Sequence, residues 1–167
     1  KISKNDLIVT TNQPKGKMVI VLFEKETRLS TPITYDITAW SIPYAYGLQG
    51  FSSKSIIALS QDTTNKEENI SNVINKNAYA YINKWNEVSD AAFLGDLLQK
   101  KINVRFSRTN FTVEGNSFEK GTLIILRGEN THLSNFDDTI VKIADKANKK
   151  LNSSKTGFVD TGSDFGS

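Results

Sequence analysis

Short apolar runs alternate with polar connections along this chain, and the spacing of the apolar residues predicts most of its elements. Leu7-Ile8-Val9 reads as a short strand closed by Asn12-Gln13-Pro14. Met18 to Phe23 (MVIVLF) is rich in β-branched residues and reads as a buried strand, with a short helix as the alternative. In the stretch YDITAWSIPYAYGLQG, residues 35–50, Ile37, Trp40 and Tyr44 recur at three- and four-residue spacing. Thr34 or Asp36 can cap a helix there, Gly47 can stop it, and Pro43 falls inside it. A short or kinked, largely buried helix is expected. Ser55 to Leu59 is a further expected strand, and the polar residues 61–77 are expected to form a surface loop or insertion.

The second half is more regular. Tyr79 to Ile82 reads as a strand, and Ser89-Asp90 opens a helix whose Phe93, Leu94, Leu97 and Leu98 share one face. Ile102 to Ser107 alternates like a strand, a hairpin turns at Glu114-Gly115-Asn116, and Thr122 to Leu126 reads as a buried strand. Ser134 to Asp138 starts a helix with Phe136, Ile140, Ile143, Ala144, Ala147 and Leu151 on one stripe, acids at its start and lysines at its end. Gly157 to Asp160 closes with an expected strand. This order predicts an α/β fold: a mixed β-sheet with flanking helices and a β-hairpin in a single domain. The domain is expected to span 1–160, with 161–167 beginning a linker to a following domain.

Composition narrows the function classes. The 167 residues suit one domain with a real core. Twenty-one basic and eighteen acidic residues are interspersed, so the net charge of +3 gives no basic stripe, and no nucleic-acid partner is expected. No apolar run approaches the length of a membrane span. There is no cysteine and one histidine, His132, so neither a thiolate site nor a typical zinc site can be assembled within this chain. His132 follows GENT and reads as a solvated loop residue.

Two motifs invite a catalytic reading. Phe158-Val159-Asp160-Thr161-Gly162-Ser163 has the form of an aspartic-protease catalytic loop, which would need two Asp160 carboxylates paired across a dimer. The strands that should follow such a loop have no room in this sequence, so an apolar strand entering a turn is the stronger expectation. Asp164-Phe165-Gly166 matches the magnesium-binding triplet of protein kinases, but no glycine-rich phosphate loop or catalytic-loop motif precedes it. No catalytic or metal-binding residue is assigned. Trp40, Tyr44 and Tyr46 are the candidate binding residues, able to grip a sugar, a peptidoglycan strand or a peptide side chain. Their neighbours Ile37, Ala39, Ile42, Ala45 and Leu48 favour packing in a core instead.

The segments QPKGKMVIVLFE, YDITAWSIPYAYGL, AFLGDLLQKKINVRFSRTNFTVEGNSFEKGTLII and GFVDTGSDFGS carry a further expectation. Together they resemble the region downstream of the catalytic domain in large zinc carboxypeptidases of the M14 family, in particular the secreted multidomain members of Bacteroidetes-type bacteria. The resemblance implies an accessory, non-catalytic domain of a secreted or periplasmic peptidase. Its partners would be other domains of the same polypeptide, with contact to peptide or cell-wall substrate. Zinc would belong to the parent's catalytic domain; no cofactor is expected here, because His132 is followed by Leu133-Ser134-Asn135 and no His-x-x-Glu pair exists.

Overall fold

The computed structural model describes residues 6–25, 41–57 and 69–166. Contacts divide the chain into two compact units, Lys1–Lys66 and Glu67–Ser167, and the division falls inside the polar stretch 61–77.

In the first unit the MVIVLF run is a helix, α1 (Gly16–Phe23), not a buried strand. The tight turn before it decides this. Gly16 N–H donates to the Gln13 carbonyl at 2.9 Å, and a Cβ on Gly16 would meet the Thr11 carbonyl oxygen at 1.9 Å. β-branched residues cost a helix only a few tenths of a kcal/mol each, so the turn outweighs their strand preference. Leu7-Ile8-Val9 is irregular, as are Ser55, Ile56 and Ile57 of the next expected strand; residues 58 and 59 lie outside the described residues. The second helix, α2 (Ile42–Ala45), is a single turn. Pro43 sits in its first turn, where a missing N–H costs nothing. Gly47, at φ +61°, ends it, and Leu48 N–H returns to the Pro43 carbonyl at 2.7 Å.

The second unit has three layers. Its central sheet runs β2 (Arg105–Phe106), β5 (Leu123–Leu126), β1 (Ala80–Asn83), β6 (Asn152–Ser154). A separate hairpin joins β3 (Phe111–Val113) to β4 (Asn116–Phe118). Helices α3 (Ser89–Gln99) and α4 (Phe136–Lys146) complete it. The expected α/β architecture with flanking helices and a hairpin is thus present, but the sheet expected to be mixed is antiparallel at every pairing among the described residues: β1 and β2, joined through α3, run in the same direction yet are separated by β5.

Side-chain alternation explains the layering. On β1 and β5, Tyr81, Leu123 and Ile125 face the helices and pack with Phe93, Leu97, Phe136, Ile140 and Ala144. Ala80, Ile82, Ile124 and Leu126 face the other way, against Phe111, Val113 and Phe118 of the hairpin. Covered on both sides, AYIN and LIIL are buried at every position. The hairpin forms where Glu114 (φ +48°) and Gly115 (φ +74°) both adopt the left-handed conformation that a two-residue turn of this kind requires.

Three expectations at the C-terminal side need correction. Gly157 to Asp160 is not a strand; it leads into an isolated bridge between Thr161 and Thr112, and the Asp160 N–H donates to the Thr112 carbonyl at 2.7 Å. The last strand is instead the polar Asn152–Ser154, paired with β1. Helix α4 stops at Lys146, and Leu151 reaches the core beyond a turn at Asn148 (φ +52°).

The described part of the polar stretch, residues 69–77, has no helix or strand but is tied down. Asn72 is buried. Its backbone N–H and its amide both donate to Asp145 Oδ1, at 2.8 and 2.7 Å. The amide also donates to the Lys149 carbonyl at 2.8 Å, and Asn72 Oδ1 accepts from Leu151 N–H at 2.8 Å. One side chain therefore satisfies the backbone between α4 and β6.

Candidate functional site

Asn83 ends β1, and the chain then runs through Lys84-Trp85-Asn86-Glu87-Val88 before α3 begins. This loop is held at both ends. Asn83 is buried and its amide donates to the Lys84 carbonyl at 3.0 Å. The N–H groups of Asn86 and Glu87 donate to Asp90 Oδ2 at 2.7 and 2.9 Å. Asp90 in turn meets the buried ammonium of Lys149 at 2.8 Å, and Lys149 also binds Glu87 and the Ser89 hydroxyl.

These charges tune one another. Burial opposes the charge on Asp90, but hydrogen bonds from Lys149 and from the Glu87 and Asn86 N–H groups outweigh it and hold its pKa below the usual range. The Lys149 hydrogen bond likewise holds the Glu87 carboxyl low. Burial pulls on Lys149 in the opposite sense, yet Asp90 and Glu87 raise its pKa above the ordinary lysine value. All three groups are engaged in holding α3, the loop and the α4–β6 turn together.

A second network lies at the opposite end of β1. Arg127 forks onto Asp137 at 2.6 and 3.0 Å and donates to the carbonyls of Ala78 and Asn75 at 2.7 and 3.2 Å. The Tyr81 hydroxyl donates to Asp137 at 2.8 Å. Burial is the main reason the Tyr81 phenol is pushed up to about 12. Arg127 and Tyr81 keep Asp137 ionised below the usual range despite its burial.

Beside the Trp85 loop, the hairpin and the loop flank an open cleft of about 480 Å³. Lys84, Trp85 and Asn86 line one wall, and Asn110, Ser117 and Glu119 belong to the other. Trp85 is 41% exposed. The Lys84 ammonium lies 5.4 Å from the centre of the Phe118 ring.

The residues singled out from the sequence fall elsewhere. Trp40 lies outside the described residues, as do Thr34, Asp36 and Ile37. Tyr44 and Tyr46 are more than half exposed, at 53% and 54%, so the burial expected of them is not found. α2 is too short to sink both rings, and among the described residues of this unit only Gly16 is buried. The Lys25 ammonium lies 5.9 Å from the Tyr44 ring centre.

Asp160 Oδ2 accepts the Gly115 N–H at 3.0 Å, so this carboxylate braces the hairpin turn. Asp164 Oδ1 accepts the Val159 N–H at 2.8 Å, and Phe165 is buried edge-on against Phe111, with ring centres 5.5 Å apart. The kinase-like triplet is therefore a core plug. His132 is exposed, with Nε2 at 3.0 Å from the Lys101 carbonyl. Among the described residues no three His, Cys, Asp or Glu side chains converge to hold a metal, and no helix is long and apolar enough to cross a membrane.

Sequence reasoning missed Trp85. The signal available was a lone tryptophan among polar residues, KWNE, directly before a helix start. No family model matches the chain, and no curated protein or solved structure matches it significantly.

Proposed function

We propose that this chain is a non-catalytic accessory region of a secreted multidomain zinc carboxypeptidase, and that its first unit docks against a neighbouring domain of the same polypeptide. The exposed apolar surface of α1 carries the docking part of this reading, and the resemblance of the sequence segments to M14 carboxypeptidases carries the rest. Met18, Ile20, Val21, Leu22 and Phe23 stand 39–58% exposed on a single two-turn helix. Tyr44, Tyr46 and Leu48 add to the apolar surface of the same unit. Folded proteins seldom leave such a surface to water, and when they do it marks an interaction site. Among the described residues, Glu87, Asp90, Asp137 and Lys149, whose pKa values are displaced, serve as structural braces, which supports a binding role over a catalytic one.

Hydrogen exchange tests the reading. In the full-length polypeptide the α1 amides should exchange at least tenfold more slowly than in the isolated 167-residue chain, because docking shields them. Equal rates reject the docking role. Separately, zinc-dependent hydrolysis of C-terminal peptide bonds by the isolated chain would reject the non-catalytic assignment.

A further inference from the structure

We propose that the cleft beside Trp85 is a saccharide-binding site. This assignment stands apart from the docking role of α1, since it uses only residues of the second unit.

Three observations converge on it. First, the cleft is of small-ligand size: its volume of about 480 Å³ falls within the range of roughly 300–1,000 Å³ typical of such sites. Second, it sets one exposed aromatic side chain, Trp85, beside the buried Phe111 and Phe118 and among polar groups that lack a side-chain hydrogen bond within the described residues. The Trp85 indole N–H, the Asn86 amide and the Glu119 carboxylate make no hydrogen bond among the described residues, and the Asn110 amide uses only its oxygen, which accepts the Lys120 N–H at 2.9 Å. Third, the platform is rigid. The backbone on either side of Trp85 is fixed by buried Asn83 and by Asp90, so the ring is presented without the ordering cost of a loose loop.

Sugar chemistry fits this arrangement. A pyranose offers an apolar C–H face that covers an indole, and a rim of hydroxyls that both donate and accept. Asn86 and Asn110 can serve either role, Glu119 accepts, and Lys84 donates. A purely apolar ligand would strand these polar groups. An extended peptide would need unpaired backbone to pair with, whereas the Thr112 N–H on the hairpin is already bonded to the Thr161 carbonyl at 3.0 Å.

Isothermal titration calorimetry of the full chain with cellobiose, maltose and N,N′-diacetylchitobiose tests the assignment. At least one of the three should bind saturably at millimolar concentration. Trp85→Ala should abolish that binding, while Trp85→Phe keeps a ring and retains most of it; circular dichroism establishes that both variants fold. Asn86→Ala and Glu119→Gln should each weaken binding by about tenfold. Three outcomes overturn the proposal: no saturable heat with any of the three disaccharides, binding that survives Trp85→Ala, or saturable binding of tri-alanine in their place.

Discussion

The ammonium of Lys149 sits 2.8 Å from Asp90 with the two side chains only 7% and 2% exposed, joining the turn after α4 to the first turn of α3. A charge pair this dry is stable only as a pair. Lys149→Met should leave Asp90 buried without its partner and cost about 3–5 kcal/mol of stability, the range for breaking a buried ion pair. Denaturant unfolding of Lys149→Met, Asp90→Asn and the double variant measures the coupling; the double variant should be more stable than the sum of the single losses predicts.

Stability should fall on the acid side. Asp90, Glu87 and Asp137 have folded-state pKa values below their ordinary ones. Their contribution is therefore fully present above the unfolded carboxylate range and is lost as pH falls through the folded values. Melting temperature measured downward from pH 6 should decline below about pH 4, and the decline should shrink in Asp90→Asn.

The alkaline side follows the opposite sign. Lys149 and Tyr81 have raised folded-state values, Tyr81 to about 12, so their contributions are present below the unfolded values and lost as pH rises through the folded ones. Ultraviolet titration of phenolate should show a step near pH 12, and Tyr81→Phe should remove it.

Asn72→Ala should cost about 2–4 kcal/mol, because it strips the Leu151 N–H and the Lys149 carbonyl of their partner in a buried setting. Thermal unfolding gives the loss, and hydrogen exchange should show the Leu151 amide opening first.

Asp160→Asn should change stability by less than about 1 kcal/mol, since the exposed amide oxygen can still accept from Gly115. Gly115→Ala should cost more, about 1–2 kcal/mol, because a Cβ is strained at φ +74°. Acid-dependent proteolysis lost in Asp160→Asn would instead revive the aspartic-hydrolase reading.

Much of the second unit was legible because local and tertiary demands agree there. Glu114-Gly115 is a turn both by chemistry and by position, and the stripes on α3 and α4 point where the sheet lies. Asn152–Ser154 was illegible, since nothing apolar marks it; pairing with β1 makes it a strand. MVIVLF was misread because a short apolar run carries no period of its own, and the deciding contact is a glycine against a carbonyl five residues earlier. Phe165 was hidden inside a familiar triplet. Trp85 was overlooked because its meaning comes from the hairpin across the cleft, which arrives some thirty residues later.

The polar composition of β6 has one more effect. It forms one margin of the central sheet, and the other margin is β2, two residues long, where Arg105 is fastened to Glu129 and to the Phe165 carbonyl. Neither margin offers a long apolar strand for another chain to extend. The sheet is self-limiting: short polar margins discourage aggregation by strand addition.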